Sequence, residues 1–165
     1  MSLPDLTYPV PKYVADTGEV SAKYRRGSHQ PELPMTSASA HYLATGASTG
    51  GEFGLYRWDF GPDVSGPDAH FHKAISESFF ILFGTVRLYD GEKWIDARSG
   101  DFLYVPPGGV HGFRNESGEP ASMLLLFTPG APREHYFETL AAGAQQAMTD
   151  EEKAAFFLLH DTYWL

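Results

Sequence analysis

No cysteine occurs among the 165 residues. This excludes disulfides, thiolate zinc clusters, iron–sulfur centres and a cysteine nucleophile, so any metal must be held by His, Asp or Glu. Basic residues are also scarce. Twelve Lys and Arg against twenty-one Asp and Glu give a formal charge of −9, which repels phosphate backbones and anionic bilayers. Nucleic acid and membrane surfaces are therefore not expected partners. Long apolar runs are missing as well: stretches such as Phe79–Phe83 fall far short of the ~20 residues needed to span a bilayer. The start, M-S-L-P-D-L-T-Y, lacks the basic residues and apolar stretch of a signal peptide, and a soluble, cytoplasmic protein is expected. What the chain does have is 42% hydrophobic and 15% aromatic residues. That is enough for the core of one domain, which commonly runs to roughly 100–150 residues.

Five of the twelve prolines fall in residues 1–38, where no helical or strand period is sustained. This segment reads as an arm with at most one edge strand. Residues 39–130 change to short β-rich runs separated by Gly, Pro and Asp, the pattern of an all-β sandwich or small barrel. Strands are expected at 40–45, 53–60, 69–73, 77–83, 85–89, 93–96, 101–105, 110–114 and 121–127. Asp90-Gly91 marks a hairpin, with a type I′ turn expected. Residues 131–165 turn helical. Tyr136, Phe137 and Leu140 form a stripe on a helix over 133–142, and Thr149-Asp150-Glu151-Glu152 is a capping box opening a helix through Leu159. Both stripes are expected to pack on the barrel or on a second subunit.

The chemistry is concentrated in four residues. His70 and His72 lie two apart on a strand, so both imidazoles project to one face while Phe71 points away. Glu77 opens the run F-F-I-L-F and shares its face with Phe79, Ile81 and Phe83, where an unpaired carboxylate would be costly. His111 follows a Pro-Pro-Gly-Gly turn at the start of another strand. Three imidazoles and a carboxylate suit one divalent transition metal ion per chain, among Mn, Fe, Ni, Cu and Zn. Singly, each residue reads more simply as a hydrogen-bonded core histidine or a solvated strand end.

Their spacing resembles the cupin family. His70, His72, Glu77 and Gly84 meet its first motif, although Val64 stands where the leading glycine belongs, flanked by Gly61 and Gly66. Gly100, Pro106, Gly108, His111 and Asn115, the sole asparagine, match the second motif at every position. The resemblance spans about residues 40–128 and implies a double-stranded β-helix, or jelly-roll barrel, with the metal in its mouth and a homodimer as the assembly. Thr49-Gly50-Gly51 and the Pro129-Gly130 turn before E-H-Y-F-E-T-L are similar to single-domain quercetin 2,3-dioxygenase-like cupins. That likeness implies a metal-dependent dioxygenase acting on a small enolisable aromatic or related metabolite, with Glu77 taking the enolic proton. A non-oxidative cyclase or isomerase, and a noncatalytic small-molecule-binding module, are the alternatives.

Three neutral imidazoles and one carboxylate leave a divalent ion near +1, which favours anionic oxygen on the ligand, and an octahedral shell keeps two positions open. Tyr56, Trp58 and Phe60 alternate along one strand. With Phe79, Phe83, Tyr104 and Phe113 they are the expected aromatic wall of a substrate pocket, though core packing explains any one of them as well. His41 and Arg57 are candidates for supporting hydrogen bonds, with a surface role as the simpler reading. His29, His135 and His160 carry no assignment.

Overall fold

The structure is a computed structural model and describes residues 7–165. The first six residues of the expected arm, and the N-terminal part of the leader reading, lie outside the described residues. Residues 7–32 form no helix or strand. The chain then makes β1 (Leu33–Pro34), β2 (Ala38–Ala44), β3 (Gly54–Phe60), β4 (His70–Phe71), β5 (Ser76–Phe83), β6 (Thr85–Tyr89), β7 (Trp94–Arg98), β8 (Phe102–Val105), β9 (Gly112–Arg114) and β10 (Ala121–Thr128). Two α-helices follow, α1 (Arg133–Ala141) and α2 (Asp150–Leu159), with a 3-10 turn (Ala144–Ala147) between them and a last short strand, β11 (Tyr163–Trp164), after them.

All named pairings are antiparallel. One sheet has the order β1-β2-β3-β10-β5-β8 and a second has β7-β6-β9. An isolated bridge between His70 and His111 carries the second sheet on to the β4-β11 pair. The architecture is the all-β double-sheet barrel with short C-terminal helices. Strict alternation makes β10 the keel of the larger sheet. Ala121, Met123, Leu125 and Phe127 are buried, while the residues between them are half-buried on the outer face. Tyr56, Phe60, Phe79, Ile81, Val86 and Leu88 complete the core between the sheets, each large side chain contributing about 1.5–3 kcal/mol when fully buried.

Turn chemistry sets the ends of these strands. Gly91 alone takes positive φ (98°) in the β6–β7 hairpin, and Glu92 does not. The expected type I′ turn is thus replaced by the pattern with glycine at the first central position only. Asp90 Oδ1 caps the turn by accepting from the amides of Glu92 (2.9 Å) and Lys93 (2.8 Å). At Gly84 (φ 71°) a Cβ would come within 2.6 Å of the Pro120 carbonyl oxygen, so only glycine fits there. The missing motif glycine has a counterpart in Gly66, whose hypothetical Cβ would fall 1.9 Å from the Phe113 carbonyl oxygen; Val64 is simply exposed.

The C-terminal segment returns over the barrel. Thr149 caps α2 through the expected box: its side chain accepts from the Glu152 amide, and Glu152 accepts from the Thr149 amide. Tyr136 and Phe137 of α1 and Phe156 of α2 are buried against the core, as their helical stripes suggest. After α2 the chain reverses through Asp161, and β11 pairs Trp164 with His70 and Tyr163 with Phe71.

Candidate metal centre

The four ligand candidates come from three places in the fold. His70 lies on β4 and His72 just past it, Glu77 is the second residue of β5, and His111 precedes β9 after the Pro106–Gly109 turn. Their donor atoms all lie within 4.8 Å of one another, and all four residues are buried, Glu77 at 3% exposure. Glu77 Oε2 is 2.8 Å from His111 Nε2 and 3.1 Å from His72 Nε2.

The histidine rings are oriented from behind. His70 Nδ1 donates to the Asp68 carbonyl (2.8 Å), His72 Nδ1 to that of Asp161 (2.6 Å), and His111 Nδ1 to that of Gly109 (2.9 Å). A carbonyl accepts only, so each Nδ1 carries hydrogen and each neutral ring turns an Nε2 lone pair inward. Two such lone pairs then face an ionised carboxylate oxygen at hydrogen-bonding distance. That arrangement is repulsive unless a ring is protonated or a cation lies among the donors, and it is the tautomer a metal needs. The donor set and its geometry fit a divalent transition metal.

The electrostatics of the four residues agree. Burial would raise the Glu77 carboxyl, but hydrogen bonding and charge interaction with His111, and then His72, outweigh it and hold it well below the usual carboxylate range. Burial pushes His70 down to about 4, despite the opposing charge of Glu77. His111 is raised because the hydrogen bond and charge of Glu77 overcome its burial.

A cavity of about 470 Å³ opens onto this cluster, within the size range of small-molecule sites. His70 and Glu77 border it directly. Trp58, Phe60 and Phe113 supply barrel wall; Arg133, Tyr136, Phe137, Leu140, Phe157 and Trp164 of the C-terminal segment supply the opposite wall. This second wall has little signature in the sequence, where the helical stripes read as packing. The Y-W pair near the chain end was the one available hint.

The expected aromatic wall is corrected at four positions. Phe83 is 62% exposed: it lies at the end of β5, beyond a register shift opposite Ser122 and Met123 that breaks the inward alternation of Glu77, Phe79 and Ile81. Tyr104 is 56% exposed because it has the outward parity of β8, where Leu103 and Val105 point in. Tyr56 and Phe79 are fully buried in the core and do not border the cavity. Tyr56 donates to Glu134 Oε1 (2.5 Å) beneath α1, and the Phe79 ring stands 5.9 Å from that of His111. Trp58 and Phe113 do line the cavity.

His41 and Arg57 are directly opposite on β2 and β3, on the outer face of the sheet, and both meet Asp59 Oδ2, at 3.1 and 3.3 Å. Neither borders the cavity. Asn115 is buried and organises its loop, donating to the carbonyls of Gly61 (2.9 Å) and Glu119 (2.8 Å) and accepting from Ser117.

Comparison with known proteins agrees with this geometry. Residues 56–127 match the family model described as "Cupin domain". Quercetin 2,3-dioxygenase of Bacillus subtilis is 34% identical over 71 residues, which is 43% of this chain and 20% of that protein. An uncharacterized protein of Aquifex aeolicus is 38% identical over 61 residues, 36% of this chain and 49% of that one. The matches thus span half or less of the curated relatives. Among solved structures, a predicted oxalate decarboxylase from Thermotoga maritima superposes with a TM-score of 0.56 at 18% identity, covering 64% of this chain and 97% of that one. Residues 56–127 are thus similar to a cupin domain, and they lie within a fold shared with that solved structure.

Proposed function

We propose that the protein is a metal-dependent, dioxygenase-like cupin enzyme acting on a small enolisable aromatic or related metabolite. The observation that supports this most is that the four-residue cluster meets an aromatic-walled cavity through His70 and Glu77. A divalent transition metal held there supplies Lewis acidity towards an enolic oxygen and, if redox-active, a route for electrons between substrate and dioxygen. His70, His72, Glu77 and His111 would hold the ion, and His70 and Glu77 also border the cavity that would take the substrate. Glu77 takes the enolic proton. Its ionised carboxylate borders the cavity, within reach of a proton on a bound substrate. Trp58, Phe113, Phe137 and Trp164 exclude water and stack against the ring system.

The test uses protein loaded separately with Fe, Ni, Mn, Cu and Zn, with a 3-hydroxyflavone as probe. The flavonol is added without oxygen, and oxygen is then admitted. Oxygen uptake in step with flavonol loss, supported by a redox-active ion and abolished in Glu77→Gln, is expected. Turnover that proceeds equally without oxygen and with zinc overturns the oxidative reading in favour of a Lewis-acid cyclase or isomerase. Binding without turnover across all five metals leaves a noncatalytic module.

A further inference from the structure

Arg133 opens α1 and is only 4% exposed, yet it forms no salt bridge among the described residues. Its guanidinium donates from Nη1 to the His160 carbonyl at 2.7 Å. Nε is shut off from solvent and has no partner. The guanidinium lies against the rings of Tyr136 (4.2 Å from Cζ to centroid) and Phe127 (5.2 Å), and the residue borders the same cavity as His70 and Glu77. A charged group buried without an ionic partner is costly, by several kcal/mol in general. Stacking on aromatic faces and one carbonyl offset part of that cost and leave the Nε–Nη2 edge of the fork without an acceptor, with its Nε closed to solvent. That edge is the one that matches two oxygens of a planar oxyanion.

Two other polar atoms around the cavity are in the same condition. Ser65 Oγ and Gln145 Oε1 are both shut off from solvent and without partners, and both residues border the cavity. Buried polar groups are nearly always hydrogen-bonded in folded proteins, so the unpaired guanidinium of Arg133 beside the cavity points to an acceptor within it. Charge narrows the choice. With the metal proposed above, the ion, Glu77 and Arg133 leave the cavity near +2, more than one enolate or phenolate would neutralise.

We propose that Arg133 anchors a carboxylate on the substrate, so that the enzyme's substrates are enolisable acids that present an oxygen to the metal and a carboxylate to the wall formed by α1. This rests on the metal-dependent reading for the enolic end alone. The carboxylate end depends on Arg133 and is present with or without an ion. Arg133 binds substrate here and takes no part in bond-making.

The experiment compares acids with their neutral isosteres: cinnamate with cinnamamide, and 2-naphthoate with 2-naphthamide. Binding is titrated by calorimetry to zinc-loaded and to metal-free protein. A carboxylate preference of about tenfold or more is expected for wild type in both forms, the size of a hydrogen-bonded charge pair. Arg133→Met should bring the ratio near one while leaving amide affinity within about threefold, and Arg133→Lys should keep part of the preference. Should Arg133→Met fail to fold, Arg133→Gln takes its place, with Arg133→Lys as the charged control. Equal binding of acid and amide to wild type overturns the proposal, as does failure of either acid to saturate below about 10 mM. A preference that survives Arg133→Met, or that exists only with zinc, assigns charge recognition to the metal and overturns it too. Because the metal-free titration needs no ion and no turnover, its failure is separable from failure of the dioxygenase reading.

Discussion

The carbonyl oxygen of Asp161 accepts a hydrogen bond from His72 Nδ1 at 2.6 Å, joining positions 89 residues apart. The Asp161 carboxylate accepts from the amides of Lys73 (2.9 Å) and Ala74 (2.7 Å), so one residue of the C-terminal tail fixes both the His72 ring and the chain after it. Asp161 does this at φ 52°, a left-handed conformation that Asp and Asn adopt more readily than most residues. Asp161→Ala removes the carboxylate anchor and adds strain. Zinc affinity is expected to drop about 10–100-fold, the usual loss when support behind a ligating histidine is removed. Asp161→Asn, which keeps an acceptor and the backbone preference, should lose less. Chelator competition measures both. Wild-type affinity in Asp161→Ala would mean that the tail does not orient His72.

Removal of a ligand itself should act on metal and not on fold. His72→Ala and His111→Ala each delete one imidazole from a cluster whose remaining donors lie within 4.8 Å of one another. Metal affinity should fall by more than about 100-fold, beyond the loss from an outer hydrogen bond. Far-ultraviolet circular dichroism should stay that of the β-rich barrel. Elemental analysis of each variant against wild type is the check, and undiminished occupancy would remove these histidines from the site.

The two ligand motifs were legible in the sequence because they record backbone and tautomer requirements at short range. Gly84, Gly100 and Gly108 all sit at positive φ, and each histidine is held by a carbonyl near or beyond its own strand. β6, at Thr85–Tyr89, has the expected bounds because polar and apolar residues alternate cleanly there. Alternation failed at strand ends: a register shift turned Phe83 outward, and a reading of composition without parity misplaced Tyr104. β11 spans two residues, too few to show any period. Arg133 reads as a surface cation at a helix start. Its burial depends on the fold-back that brings His160 to it across 27 residues, which no local pattern encodes.

The fold-back also carries a pH dependence. His160 packs against Tyr136 and Phe156, and its Nε2 lies 3.0 Å from His135 Nδ1. Burial, and then the positive charge of Arg133, lower its pKa below the ordinary 6.5. The unfolded chain therefore binds a proton there before the folded one does. The stability this ring contributes is complete above its unfolded pKa and is lost as pH falls from there towards the folded value. His41 and His70, also lowered, act in the same direction, whereas His111 is raised and opposes them. For metal-free protein, Tm should decline from pH 7.5 to pH 5, and His160→Gln should flatten that decline. Equal slopes for wild type and His160→Gln would remove His160 from the effect.

Phe80 on β5 and Phe102 on β8 are paired across the last ladder of the larger sheet, and both face outward, 40% and 62% exposed. Tyr104 and Phe83 extend the same apolar surface at the sheet edge, a patch of the kind soluble monomers rarely leave uncovered. Tyr8, Val10, Val14 and Tyr24 of the arm are also almost fully exposed. We propose a homodimer in which two copies cover each other's outer sheet face, since a two-fold pairing places identical patches in mutual contact. Sedimentation equilibrium should give twice the chain mass for wild type. The Phe80→Lys, Phe102→Lys double variant should give the single mass with little change in Tm, because neither ring belongs to the core. A wild-type monomer, or a double variant that still dimerises, would place the interface elsewhere or nowhere.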